Sequence, residues 1–94
     1  MLTLDLIATK IIKEQESIIG PLAWSEAGKV QGLKVVDSST GEVTFNNGDQ
    51  KEVINRLVSQ YERIFGRASH EVCREAAVSL VADLAPSEVP SSLM

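Results

Sequence analysis

His70 and Cys73 carry the most reactive side chains of this sequence, and they lie three positions apart. On a helix that spacing places an imidazole and a thiol on one face, and both groups are zinc ligands. A structural zinc site takes four ligands and a catalytic one usually three, yet the sequence holds no second histidine and no second cysteine. We therefore expect a buried Cys73, a partly exposed His70, and neither a metal nor another cofactor.

A basic stripe is the second candidate for chemistry. Its members recur at spacings of four, three and four: Arg63, Arg67, His70 and Arg74. Such a stripe suits phosphate, so a nucleic-acid-binding regulator is one alternative function. Glu62, Glu71 and Glu75 lie close enough to neutralise it, and the formal charge of −4 gives no broad positive field. A solvated face with ion pairs is therefore favoured, and nucleic acid is not the expected partner.

Ser69-His70-Glu71 resembles the Ser-His-Glu core of the phosphoacceptor helix in sensor histidine kinases. The resemblance implies that His70 would accept phosphate while Glu71 acts as a base, which makes a phosphotransfer protein the second alternative. That family continues with Arg, Thr and Pro, whereas this chain continues with Val72, Cys73 and Arg74. A helix N-cap at Ser69, followed by polar residues of the first turn, is the favoured interpretation.

Trp24 is the only tryptophan in the sequence. It falls in a short helical stretch with few other large apolar residues, so it is either an exposed anchor at an interface or the cover of a small core. With the basic stripe it completes the expected partner-binding set: Trp24, Arg63, Arg67, His70 and Arg74.

An internal repeat predicts the elements that position these residues. Lys10 to Gly20 is KIIKEQESIIG, and forty-six residues later Arg56 to Gly66 is RLVSQYERIFG. Each copy is an amphipathic stripe that closes on a glycine, the residue that best adopts the left-handed conformation after a helix. The repeat therefore predicts two helical hairpins in one domain.

Local signals place the remaining elements. The alternation of apolar and polar residues on either side of Gly41 predicts a β-hairpin over residues 33–45, and a turn follows over Asn46–Gly48. The short second helix should span Pro21–Val30. The expected helix N-caps are Thr3, Asp49 in a capping box with Glu52, and Ser69.

The fold class predicted from these signals is α+β, mainly helical, with the order ααββαα in a single domain over residues 1–84. Residues 85–94, which are rich in proline and serine, should form a flexible C-terminal tail. We expect the following residues at the centre of the core: Ile11, Ile18, Val53, Leu57, Ile64 and Leu80.

Composition narrows the function. A chain of 94 residues supports one domain, its single cysteine makes no internal disulfide, and no stretch approaches the roughly 18 to 20 apolar residues of a membrane span. We expect a cytoplasmic protein without membrane attachment. Because its sole histidine would serve alone in any catalytic set, we expect no enzyme and no small-molecule substrate.

The segment IIGPLAWSEA, Ile18 to Ala27, is echoed by IFGRASHEVCREAA, Ile64 to Ala77. These segments resemble the Ile-Gly-Pro-hydrophobic-Ala stretch of small helical modules appended to bacterial signalling proteins, although the second copy carries Arg67 in place of the proline. The resemblance implies a non-catalytic regulatory module that works by contact. The sequence thus favours a small interaction module that binds a protein partner or forms a homo-oligomer.

Overall fold

Four helices and one β-hairpin form the chain in a computed structural model, which describes residues 3–46 and 49–94. The helices are α1 (Thr3–Ile19), α2 (Leu22–Ala27), α3 (Gln50–Phe65) and α4 (Arg67–Val81). The strands, β1 (Leu33–Asp37) and β2 (Glu42–Phe45), pair antiparallel between α2 and α3. This order confirms the predicted α+β, mainly helical fold.

Two predicted features fall partly outside the described residues. The turn predicted over Asn46–Gly48 includes Asn47 and Gly48, and the predicted cap at Thr3 depends on a side chain that is likewise not described. The cap at Asp49 is described, and its carboxylate accepts a hydrogen bond of 2.9 Å from the backbone N–H of Lys51.

The helix breaks are the same in both copies of the repeat. Gly20 and Gly66 have φ angles of 76° and 89°, in the left-handed region that favours glycine. Each glycine donates its N–H to the carbonyl of a glutamate four residues earlier, Glu16 or Glu62, at 2.8 Å. Because α4 already begins at Arg67, Ser69 lies in its first turn, and the predicted N-cap at Ser69 is wrong.

The core contains the apolar stripes of α1 and α3. Of the residues predicted at its centre, Ile11, Val53 and Leu57 are fully buried. Ile18 and Ile64 are 62% and 43% exposed, so the prediction was wrong for both. Neighbouring residues of a helix point about 100° apart, and it is Ile19 and Phe65 that pack against the core in the last turns. Leu80 is only partly buried at the edge of the core.

Two hydrogen bonds join the halves of the repeat reciprocally. Gln15 of α1 donates its Nε2–H to the Ser69 carbonyl oxygen in α4 at 3.0 Å. Tyr61 of α3 donates its hydroxyl to the Ala23 carbonyl oxygen in α2 at 2.6 Å. Tyr61 lies forty-six residues after Gln15, as Ser69 does after Ala23. Equivalent hydrogen bonds therefore tie the first helix of each half to the second helix of the other.

Each half also ends in a segment that returns to its first helix. In the first half this segment is the β-hairpin, where Thr9 donates its hydroxyl to the Gly41 carbonyl oxygen at 2.7 Å. In the second half it is residues 86–94, where the Ser92 N–H donates to Asn55 Oδ1 at 3.0 Å. Thr9 and Asn55 are again forty-six residues apart. Equivalent positions of the two first helices thus hold returning segments of different structure, a β-hairpin and two 3₁₀ turns.

The C-terminal segment, defined here as residues 86–94, contains two short turns of 3₁₀ helix, Pro86–Glu88 and Ser91–Leu93. The second turn packs against α3 and α4, and Lys51 of α3 donates to the Ser87 carbonyl oxygen in the first at 2.9 Å. Pro90 and Leu93 are buried in that contact. The structure therefore gives these residues defined packing partners, while the flexibility expected from their composition stays a prediction.

Candidate functional site

The residues of the basic stripe lie on two helices, because Gly66 separates α3 from α4. Arg63 is in the last turn of α3 and donates to Gln60 Oε1 at 2.9 Å. Arg67 is exposed at the start of α4, and Arg74 pairs with Glu71 at 3.1 Å. Gly66 thus divides the basic stripe, with Arg63 on α3 and the other three members on α4. Arg63 contributes to a different site, which is described below.

His70 connects α3 to the C-terminal segment. Its Nε2 lies 2.6 Å from the Ser92 carbonyl oxygen, and its Nδ1 lies 3.4 Å from Glu62 Oε2. Since a carbonyl oxygen only accepts, Nε2 carries a proton in this contact. Both ring nitrogens have a neighbour, and the geometry favours an anchor for the C-terminal segment over a free imidazole.

Trp24 belongs to the buried core, and its side chain is 8% exposed. Its Nε1–H has no hydrogen-bond partner among the described residues. Of the two interpretations that the sequence allowed, the cover of a small core matches this position. The structure does not bring Trp24 to the surface beside the arginines.

A basic cleft of about 390 Å³ lies between α3 and the loop after α2. Its lining includes Lys29, Val30, Glu52, Arg56, Gln60 and Arg63. Arg56 donates to the Gln31 carbonyl oxygen at 3.3 Å, which holds its guanidinium at the cleft. The cleft therefore gathers three cations, Arg56 and Arg63 from α3 and Lys29 from the loop after α2. Arg63 is the one member that the sequence had pointed to.

A chain of polar contacts runs beneath the basic cleft. Gln60 accepts from Arg63 and donates its Nε2–H to Glu26 Oε1 at 2.7 Å. Lys29 pairs with the other oxygen of Glu26 at 3.1 Å. The hydrogen bond from Gln60, then that from Lys29, holds the pKa of the buried Glu26 carboxyl below its usual value. Glu26 is therefore ionised at neutral pH and fixes both neighbours.

The sequence analysis missed this network. The Glu26 and Lys29 spacing of three residues is a visible signal for a helical ion pair. Gln60 lies thirty-four residues from Glu26 and only the packing of α2 on α3 brings them together.

An acidic groove of about 410 Å³ lies between α1 and α4. Its lining includes Lys10, Glu14, Ile18, Val72, Glu75 and Ala76. Lys10 pairs with Glu14 at 3.5 Å, which leaves Glu75 as the excess charge of this set. The exposed Ile18 gives the groove an apolar component beside Val72 and Ala76.

The basic cleft and the acidic groove occupy equivalent positions of the repeat. Forty-six residues separate each of these pairs: Lys10 and Arg56, Glu14 and Gln60, Lys29 and Glu75, Val30 and Ala76. The pair Lys29 and Glu75 reverses the sign of the charge. The linings of the two depressions thus share these four positions of the repeat and have opposite net charge.

Nucleophilic and metal chemistry have few candidate groups. Burial raises the pKa of the Cys73 thiol to about 11, so the thiol is protonated at neutral pH. Within residues 3–46 and 49–94, no three His, Cys, Asp or Glu side chains cluster so that a metal ion could bind. None of the described helices combines the length and the apolar character needed to span a bilayer.

Comparison of the chain with protein-family models, curated proteins and solved structures gives no match.

Proposed function

We propose that this chain is a small non-catalytic interaction module, which acts in the cytoplasm by self-association or by binding a protein partner. One observation carries the proposal: the repeat exposes an isoleucine at the same position in both halves, Ile18 at 62% and Ile64 at 43%. Removing apolar surface from water contributes about 25 cal/mol per Å². Burial of these side chains at an interface would therefore favour association.

The acidic groove supports this function because it combines an apolar component with a charged rim. Ile18 lies with Val72 and Ala76, and Lys10, Glu14 and Glu75 surround them. Interfaces between proteins commonly have an apolar centre within a polar rim. The resemblance of Ile18 to Ala27 to helical modules of bacterial signalling proteins supports a regulatory role, and the single buried Cys73 suits a reducing compartment.

Light scattering after size exclusion tests the proposal at about 100 μM, where even weak micromolar association is visible. We expect a species larger than the monomer, and Ile18→Thr should reduce it. Val36→Thr is the matched control, because Val36 is also β-branched and is 48% exposed, but lies on β1. A strict monomer, or equal effects of the two variants, would contradict self-association through Ile18.

A further inference from the structure

The basic cleft and the acidic groove have opposite net charge, as expected of two surfaces that bind each other. The basic cleft has three cations, Lys29, Arg56 and Arg63, against Glu52 on its lining and the Glu26 carboxylate beneath it. The acidic groove has one cation, already paired to Glu14, and the further carboxylate of Glu75. The chain as a whole carries a formal charge of −4, so the positive excess of the cleft is a local exception.

We propose that the acidic groove of one copy docks on the basic cleft of a second copy. This inference rests on the proposed function and identifies the partner and the two surfaces. Glu75 and Glu14 would face Arg56, Arg63 and Lys29 of the neighbouring copy, while Ile18 and its apolar neighbours leave water. Complementary charges of this kind select the partner and its orientation.

Charge also decides against the symmetric arrangements. Two acidic grooves face to face would bring together surfaces of net negative charge, and two basic clefts surfaces of net positive charge. Of these three arrangements, groove against cleft is the one that pairs opposite net charges. Such a contact is heterologous, because each copy uses a different surface.

A heterologous contact leaves one free groove and one free cleft at the ends of every dimer. Association therefore continues to larger species as the concentration rises, unless the rotation between copies closes a ring. Because salt screens charges that water can reach, the association should weaken as ionic strength increases.

Sedimentation velocity at about 100 μM, a concentration suited to weak association, tests the proposal with charge reversals on the full chain. Glu75→Lys alters the groove and Arg56→Glu alters the cleft, and each alone should weaken association at least about tenfold. Mixed in equal amounts, the two variants should associate again, because one retains its cleft and the other its groove. Glu42→Lys and Lys34→Glu are the controls, since both are exposed residues of the β-hairpin and make the same charge changes.

Circular dichroism and thermal melts establish that each variant is folded. Arg56 is exposed and makes one contact to a backbone carbonyl, and Arg63→Glu tests the same cleft if Arg56→Glu does not fold.

The outcomes separate this inference from the proposed function. If the wild-type chain associates and charge reversal in the groove or cleft has no more effect than in the hairpin, the two surfaces are wrong and self-association stands. If the wild-type chain is a monomer in low salt, this inference and self-association both fail, and binding of a different protein partner is what remains of the proposed function. If Arg56→Glu abolishes salt-dependent binding of duplex DNA but leaves self-association unchanged, the cleft serves nucleic acid and the inference is overturned.

Discussion

The hydroxyl of Tyr61 donates a 2.6 Å hydrogen bond to the carbonyl oxygen of Ala23, and this bond ties α3 of the second half to α2 of the first. Tyr61 and Ala23 are both fully buried. Burial raises the pKa of Tyr61 above its ordinary value, so the hydroxyl keeps its proton and remains a donor. A helix of only six residues, α2, is thus held by a bond from another helix.

Tyr61→Phe should lower the free energy of unfolding by about 1–3 kcal/mol, because the Ala23 carbonyl then stays buried without this donor. Urea denaturation measures the change. Thr9→Val is the control, since it removes a bond of similar length from a partly buried hydroxyl that water can replace. A cost for Tyr61→Phe that is no larger than that of Thr9→Val would show that the Tyr61 bond is not a main tie between the halves.

Gly66→Ala should destabilise the fold by about 1–3 kcal/mol, because φ 89° and ψ −178° belong to a region that is nearly restricted to glycine. An added Cβ would meet no atom within 4 Å, so the cost is one of backbone strain. Gly28→Ala is the matched control: Gly28 has helical angles, and its Cβ would be 3.6 Å from the nearest atom. We expect Gly28→Ala to raise the free energy of unfolding by about 0.4–1 kcal/mol. If thermal melts shift the midpoints of both variants in the same direction, backbone strain at Gly66 is not the cause of the cost.

Stability should decline in alkaline solution through Cys73. Burial raises its pKa from an ordinary 9.0 to about 11, so the unfolded chain loses this proton first. The stabilisation by the protonated Cys73 thiol is complete below the pKa of the thiol in the unfolded chain. It is lost as pH rises toward the pKa in the folded chain, and the free energy of unfolding falls by up to about 1.4 kcal/mol per pH unit. Urea midpoints measured from about pH 7 to about pH 10 should show the decline. Cys73→Ala should have lower stability but a flatter profile, and an equally steep profile would assign the decline to other groups.

Leu93→Ala tests whether the C-terminal segment is docked in solution. Leu93 is 7% exposed against α3 and α4, so the truncation should cost about 2 kcal/mol and speed amide exchange in residues 86–94. Met94→Ala should change neither, since Met94 is 70% exposed. If the two variants behave alike, the segment is as flexible as its composition suggests.

The architecture was predictable from the sequence where a local signal sufficed. The glycines after α1 and α3 mark helix ends, Asp49 marks a helix start, and alternation around Gly41 marks the β-hairpin. The apolar stripes of α1 and α3 did not predict which residue of the last turn is buried. Ile18 and Ile19 are both apolar, and only the packing of α1 on its neighbours decides which one faces the core.

The candidate site was less predictable because it depends on contacts between distant residues. Spacing grouped Arg63 with Arg67, but the backbone at Gly66 places Arg63 at a cleft with Lys29 and Arg56. Two polar residues are also buried although no signal in the sequence indicates it: Gln15 is fully buried, and Glu26 is 6% exposed. Each is held by partners from another helix, which the linear sequence does not show.

The reciprocal bonds of Gln15 and Tyr61 join the two halves in the way that subunits of a symmetric dimer are joined. In a two-fold dimer, if residue i of one subunit contacts residue j of the other, then residue j of the first also contacts residue i of the second. The two halves of this chain exchange bonds in that way, and each half closes with its own returning segment. The chain thus holds within one molecule the kind of reciprocal contact that otherwise joins two subunits. Its two halves are not equivalent in charge, since positions forty-six residues apart carry Lys29 and Glu75.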